Sequence, residues 1–204
     1  WFPPVTDALE DGLLAMGGDV SVERLLLAYK NGIFPWYDDS TPLWWSPDPR
    51  FVLIPEELKV SKSMQQLIKK NIFTFKFNTD FSQVIHHCQS LNRKGQDGTW
   101  ITEELKESFI ELHRLGHAHS AETWMNNELV GGLYGIKMGP FFFGESMFSK
   151  VSNASKFAFI HWVKQLQQEG IILIDCQVYT EHLESLGAVM IPRKEFIALL
   201  KAYL

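Results

Sequence analysis

Between His117 and Phe148 the chain carries three runs of strand-forming residues, His117 to Trp124, Leu129 to Lys137 and Pro140 to Phe148, separated only by Asn126-Asn127 and Met138-Gly139. Such gaps are turn chemistry, because asparagine and glycine tolerate the left-handed backbone that tight hairpins require. Three strands joined by turns this short run back and forth, so the spacing predicts an antiparallel meander.

The flanking segments narrow the fold further. Thr102 reads as the N-cap of a helix with Glu103 and Glu104 in its first turn, a core stripe of Leu105, Phe109 and Leu112, and Gly116 as its stop. After the meander a helix starts near Ser152-Asn153 and ends at Gly170, with Phe157, Phe159, Ile160, Trp162, Val163 and Leu166 making it apolar on most sides. A helix of that kind is largely buried. Ile171 to Asp175 is then an apolar run short enough for a buried strand. Helix, meander, buried helix, strand and helix is the order of the acyl-CoA N-acetyltransferase fold, a likeness of architecture that carries no function by itself.

The first fifty residues read differently. Ser21 caps one clear helix that ends at Gly32, with Leu25, Leu26 and Tyr29 as its core face. Beyond it, residues 33 to 37 and 43 to 50 hold so much proline and tryptophan that an ordered aromatic surface loop system is expected rather than regular structure. The change of pattern puts a domain boundary near Arg50, giving a small domain over 1–50 and a larger one over 51–204.

Composition excludes several classes. With 46% hydrophobic and 21% charged residues the chain is a globular core-former, and no window is long and apolar enough to span a bilayer. Trp1-Phe2-Pro3-Pro4 lacks the basic and apolar segments of a secretion signal, and Cys88 and Cys176 stand alone, which together fit a reducing cytoplasm. The net charge of -5 gives no reason to expect nucleic acid, although Lys59 to Lys70 contains four lysines and no acid, and Arg93-Lys94 adds a second basic cluster. His117 and His119 have no third ligand at a metal-site spacing, and they and His86-His87 read as ordinary surface.

Two acids stand out. Asp175 and Gln177 are two apart on a strand, so they share a face at the end of the apolar run 171 to 174, a place where such sheets open onto ligands. Capping a neighbouring turn is the alternative for Asp175. Glu145 lies inside the aromatic run Phe141 to Phe148, next to Gly144, which would allow a backbone or substrate to come close. Its alternative is a solvent-facing strand position. Ser149 to Asn153 lacks the glycine-rich loop that a CoA pyrophosphate needs, so a CoA donor is not expected.

Taken together, these segments resemble the leucyl/phenylalanyl-tRNA-protein transferases along nearly the whole chain. The likeness is carried by Gly32 to Trp36, Trp44 to Arg50, Gly98 to Thr102, Gly116 to Ser120, Leu129 to Gly135, Gly144 to Ser149, Asn153 to Lys156, Leu173 to Gln177 and Ser185 to Ala188. It implies an α+β protein: a small N-terminal domain packed on an acetyltransferase-like (GNAT-type) domain with a mixed, mainly antiparallel sheet flanked by helices. It implies transfer of Leu, Phe or Met from aminoacyl-tRNA to proteins that begin with Lys or Arg, in the N-end rule degradation pathway. No metal and no cofactor are implied, nor any membrane, and a monomer is expected.

By the same resemblance the donor side chain enters an apolar pocket of Leu133, Phe142, Met147, Trp162 and Ile174 with Glu145 at its edge, and Trp36 and Trp100 stack on adenosine. Asp175 and Gln177 fall at the reaction centre, with Asp175 as base or orienter and Gln177 holding the attacking group. Lys62, Lys69 and Lys70 face the tRNA acceptor stem. Because Gln65 and Gln66 stand where more basic residues are expected, Arg50 and Arg93 are further candidates for tRNA contact. Asp38-Asp39, Glu181 and Glu184 are candidates for meeting the basic N-terminus of the acceptor.

Overall fold

The alternation that predicts a meander builds the centre of the molecule. A computed structural model describes residues 1–37, 40–90 and 101–204. In chain order the elements are β1 (Leu13–Met16), α1 (Val22–Lys30), β2 (Phe34–Pro35), β3 (Leu43–Trp45), β4 (Arg50–Leu53), α2 (Lys62–Lys69), β5 (Thr74–Phe77), α3 (Phe81–Gln89), α4 (Glu103–Arg114), β6 (Ala118–Met125), β7 (Glu128–Met138), β8 (Phe141–Ser149), α5 (Ala154–Gln168), β9 (Leu173–Gln177), α6 (Glu181–Glu184), β10 (Val189–Ile191) and α7 (Arg193–Tyr203). They form a three-stranded sheet of order β1-β3-β2 and a seven-stranded sheet of order β10-β4-β9-β8-β7-β6-β5. Every pairing in the large sheet is antiparallel except β8 with β9, so the sheet is mixed and mainly antiparallel, as the sequence predicts. No helix of the described residues is long and apolar enough to cross a membrane.

The expected meander is β6, β7 and β8. Asn126 and Asn127 turn its first corner with φ of 52° and 64°, the left-handed backbone for which asparagine is suited. In the second hairpin Tyr134 pairs with Ser146 but Gly135 pairs with Gly144, so Glu145 is an extra residue on β8. Such a bulge bends the strand and re-aims a side chain. A Cβ at Gly135 would lie 2.1 Å from the Phe143 carbonyl oxygen, so only glycine fits opposite the bulge.

Helix α5 lies where the sequence places it, with Gly170 just beyond its end at φ 80°. Strand β9 starts two residues later than the apolar run suggests. Ile171 donates its amide to Leu166 at 3.0 Å and Ile172 donates to Pro140 at 2.9 Å, so these two residues close the helix and enter the sheet before the ladder begins.

The tryptophan- and proline-rich N-terminal stretch is not a surface loop system, which corrects the expectation. Trp44 and Trp45 form the middle strand β3, and Trp44 is almost fully buried, its indole donating to the Gly17 carbonyl at 3.0 Å. Pro35 is tolerated because β2 is an edge strand, where a missing amide hydrogen costs no ladder bond.

The large sheet separates two apolar clusters. One joins α1, α3 and α4 with Phe141 and Phe143, and N-terminal residues such as Leu25, Tyr29, Ile33 and Trp44 belong to it. The other gathers α5, Met64 of α2 and the opposite side chains Leu133, Phe142 and Ile174. The functional groups of interest lie where the sheet between these clusters opens.

Candidate active site

Strands β8 and β9 pair in parallel at Phe141 with Leu173, Phe142 with Ile174 and Phe143 with Asp175, and there the register stops. Past that point β8 continues to Ser149 while β9 ends at Gln177, and a cleft of ≈ 490 Å³ opens between them. An ideal Cβ on Gly144 would meet only the Asp175 carbonyl oxygen, at 3.4 Å, so the strand is thin where the cleft begins.

Seven residues singled out from the sequence line this one cleft: Leu133, Phe142, Met147 and Ile174 on its apolar wall, with Glu145, Asp175 and Gln177. Trp162 stands behind the wall rather than on it, buried and edge-to-face with Phe142 at 5.5 Å between ring centroids. Trp36 lies off the cleft on the small sheet, 38% exposed and tilted against Trp45 at 5.7 Å. Trp100, Arg93 and Asp38-Asp39 fall outside the described residues.

Asp175 is held by three donors. Arg50 Nε reaches Oδ1 at 2.8 Å, an Arg50 terminal nitrogen reaches Oδ2 at 2.6 Å, and the Gln177 amide reaches Oδ1 at 2.9 Å. Both side chains of the ion pair are fully buried. The guanidinium also donates to the Gly32 carbonyl at 3.1 Å and lies between the rings of Phe34 and Phe196. A planar fork matched to a carboxylate in this way fixes direction as well as charge. Arg50 is therefore unavailable to tRNA phosphates, which corrects that expectation.

Gln177 pays a conformational cost for its place. Its φ is 65°, a left-handed backbone that non-glycine residues rarely adopt, and the bond from its amide to Asp175 holds it there. The side chain turns to Glu145, with Nε2 donating to Oε1 at 2.7 Å. The side-chain carbonyl of Gln177 has no hydrogen bond among the described residues, and Gln177 is one of the residues lining the cleft.

Glu145 lines the cleft, yet its Oε2 is sealed from solvent. Burial pushes its carboxyl up to about 8; the Tyr29 hydroxyl and Gln177 hold it down, Asp175 adds a smaller upward push, and Arg50 a downward one. Tyr29, read from sequence only as a core residue, is fully buried and interacts with Glu145, although the pair falls short of full hydrogen-bond geometry. Cys176 lies in the same wall, but burial, reinforced by Asp175, drives its thiol far above neutral, which argues against a thiolate nucleophile.

Phe148 and Ser149, from the Gly144 to Ser149 stretch that carries the resemblance, also line the cleft, with Ser155 from the Asn153 to Lys156 stretch, Phe159, read from sequence only as a core residue of the buried helix, and His182, which was not singled out from sequence. His182 Nε2 is buried without a hydrogen-bond partner, and burial followed by Lys156 lowers its pKa. Nothing in the local sequence marks His182, because its neighbours 180 to 186 read as an ordinary capped helical turn. Glu181 and Glu184 are exposed on α6, where Glu184 accepts from the Tyr179 hydroxyl at 2.8 Å. Lys62 and Lys69 are exposed on α2, with Lys70 exposed at its C-cap.

Residues 52–201 match the family model described as leucyl/phenylalanyl-tRNA protein transferase, and residues 18–48 match the model of that family's N-terminal domain. The leucyl/phenylalanyl-tRNA-protein transferase of Flavobacterium johnsoniae is 55% identical over 203 residues, 99% of this chain and 96% of that protein. That of Christiangramia forsetii is 57% identical over 202 residues, 98% of this chain and 95% of that protein. Among solved structures, a GCN5-related N-acetyltransferase from Kribbella flavida is similar at a TM-score of 0.45 and 10% identity, over 82% of this chain and 59% of that one, too distant to carry an argument.

Proposed function

Because the chain belongs to the leucyl/phenylalanyl-tRNA-protein transferase family, whose members are aminoacyltransferases acting on aminoacyl-tRNA and proteins, we propose that the cleft between β8 and β9 is where the aminoacyl ester and the acceptor amine meet. The donor amino acid, Leu, Phe or Met, places its side chain against Leu133, Phe142, Met147 and Ile174, with Trp162 supporting Phe142 from behind. A wall with a thioether and an aromatic ring accepts branched and aromatic side chains alike. Glu145 lies at its rim. The acceptor is the N-terminal Lys or Arg of a protein, modified within the N-end rule pathway.

The reaction is aminolysis of an ester. The α-amine loses a proton as its nitrogen attacks the carbonyl carbon, and the C–O bond to the ribose breaks as that oxygen takes a proton. In our reading the free carbonyl of Gln177 accepts a hydrogen bond from the attacking amine and aims its lone pair. Asp175, already bonded to Arg50 and to the Gln177 amide, is the positioning residue that holds Gln177. Positioning of two reactants accounts for much of the barrier lowering in such a step.

The observation that carries this reading is the convergence of an apolar wall with Gln177 at one opening in the sheet. Lys62, Lys69 and Lys70 are assigned to the acceptor stem, and Trp36 and Trp100 to the terminal adenosine. We treat residues 1–50 as a small N-terminal domain, 51–204 as the catalytic domain, and the protein as a cytoplasmic monomer. The test is transfer of radiolabelled leucine from charged tRNA to Lys- and Arg-starting peptides, with a peptide starting in Gly as control. Equal labelling of all three peptides removes the proposed acceptor class, and wild-type turnover by Gln177→Ala removes the proposed centre.

A further inference from the structure

We propose that the start of α5, with Ser155, Lys156 and Lys150, holds the phosphodiester that joins the donor's terminal adenosine to the rest of the tRNA. The inference rests on the reading above, in which the aminoacyl ester lies in the cleft beside Gln177, and it adds a second point of attachment for the same molecule.

An α-helix leaves its first amides without internal partners, and its start carries partial positive charge. In α5 these amides can be accounted for one by one. The Ala154 amide donates to the Val151 carbonyl at 3.0 Å and the Ser155 amide to the Ser149 hydroxyl at 3.2 Å, while the Asn153 side chain makes no capping bond. The Lys156 amide has no hydrogen bond among the described residues. No acid stands in the first turn, and Lys156 adds its own charge to the helix dipole instead of answering it. Its side chain makes no ion pair among the described residues.

Ser155 is the independent sign of a ligand. It lines the cleft, is only 8% exposed, and its hydroxyl has no hydrogen bond among the described residues. Its oxygen is not among the buried polar atoms cut off from solvent, so the little surface it has opens on the cleft. Buried hydroxyls are normally bonded, and here the partner has to come through the cleft. A phosphate oxygen accepts from the hydroxyl and the Lys156 amide and answers the lysine charge at once. Lys150, exposed just past the end of β8 with Nζ 2.9 Å from His87 Nε2, is a second cation without an ion pair among the described residues. Glu181 and Glu184 of α6 do not line the cleft, whereas Thr180, His182 and Leu183 of the same turn do. Ser149 to Asn153 has no glycine to bring further amides to the site, so it takes one phosphate rather than a pyrophosphate.

The ester-bearing ribose and this phosphodiester belong to one nucleotide, so an ester held at Gln177 brings the phosphate within a sugar's length of it. Ser155 and Gln177 line the same cleft, which meets that requirement. An acceptor that begins with Lys or Arg is repelled by Lys150 and Lys156. The charge therefore also decides which substrate enters at this end.

The test is binding, by calorimetry, of two unreactive donor analogues that carry leucine in amide linkage at the 3′ position of adenosine, one with a free 5′ hydroxyl and one with a 5′ methyl phosphodiester. Wild type should bind the phosphodiester analogue about ten-fold more tightly, the worth of one charge-assisted hydrogen bond. Ser155→Ala should bring the two affinities within about two-fold by weakening only the charged analogue. Lys156→Gln should shrink the ratio and its dependence on salt. Equal affinities in wild type, or a wild-type ratio in either variant, overturn the proposal, as does an equal loss for both analogues in Ser155→Ala, which is what a serine that only packs would give. Inorganic phosphate alone probes the other source of this chemistry: half-saturation at a lower concentration than the phosphodiester analogue would make this a free-phosphate site and overturn the assignment to the donor. Leu133→Trp, which fills the donor pocket, tests the underlying reading separately. It should weaken both analogues together, and undiminished binding of both removes the donor reading of the cleft. Weakened binding there beside an unchanged ratio in Ser155→Ala removes the phosphodiester site alone.

Discussion

Arg50 and Asp175, 125 residues apart, form a two-pronged ion pair at 2.8 and 2.6 Å with neither side chain exposed to solvent. A carboxylate in that position is committed to holding geometry, since both oxygens are bonded and Oδ1 also accepts the Gln177 amide.

Arg50→Lys is expected to lower leucine transfer ten-fold or more while keeping the positive charge, because an ammonium cannot reproduce the fork. Asp175→Asn should be worse for folding, since it leaves the guanidinium charge buried without a counter-charge, at a cost of about 3–5 kcal/mol. Thermal unfolding and turnover on the same preparations separate the two effects. Wild-type turnover by Arg50→Lys would mean that the orientation of Asp175 is irrelevant to the reaction.

Glu145 links the site to stability. Its carboxyl titrates near 4.5 when unfolded and at about 8 in the fold, so between these values the folded protein holds one more proton than the unfolded chain. Stability should therefore fall as pH rises through that window, and this contribution is fully lost above about 8. At about 1.4 kcal/mol per unit the ceiling is roughly 5 kcal/mol. Glu145→Gln should flatten the curve and gain most over wild type in alkali. Urea denaturation across this range checks it, and parallel curves for the two proteins would contradict the assignment.

Lys62, Lys69 and Lys70 are exposed, and none is in an ion pair among the described residues. Each phosphate contact adds about one unit to the slope of log affinity against log salt, so Lys69→Glu should weaken tRNA binding and reduce that slope by about one. Gln65 is tied to the Val60 carbonyl at 3.0 Å, whereas Gln66 is exposed on the same helix. Gln66→Lys is accordingly expected to tighten binding and steepen the slope. Filter binding of uncharged tRNA at several salt concentrations measures both, and a wild-type slope in both variants would take α2 off the tRNA surface.

The parts of the fold legible in the sequence are those whose cause is local. Asn126-Asn127 specifies its own turn, and the apolar faces of α5 specify burial whatever packs on them. Leu133, Phe142, Met147 and Ile174 were named by the resemblance rather than by alternation, since Phe142 and Met147 are five apart on β8 and share the cleft only because the bulge at Glu145 shifts the alternation by one residue. What was not legible depends on partners far away in sequence. Nothing near Arg50 announces Asp175, so a buried guanidinium looked like a surface charge. Tyr29 has the spacing of a core residue, and only its hydroxyl beside Glu145 sets it apart. Trp44 and Pro35 looked irregular because composition argues against strands there, and pairing across the small sheet overrides it.

Met147 offers the most discriminating test of the donor pocket. It pairs with Leu133 across the β7–β8 ladder, so these two walls face the ligand side by side, and Met147 is the more exposed of them. Its thioether chain has three rotatable bonds and can move aside for an aromatic ring or close on a branched one. Isoleucine keeps the apolar character but fixes the side chain at Cβ. Met147→Ile should therefore keep leucyl transfer within a few-fold of wild type and lower phenylalanyl transfer by about ten-fold, near the lower end of what one misfitted methylene costs a pocket. The measurement is the ratio of kcat/KM for leucyl-tRNA to that for phenylalanyl-tRNA with one acceptor peptide. Because both donors share the reacting ester and the same tRNA-binding surface, damage to Gln177 or to α2 lowers both rates together. A change in the ratio therefore reports the pocket alone, and an unchanged ratio would place the donor side chain elsewhere.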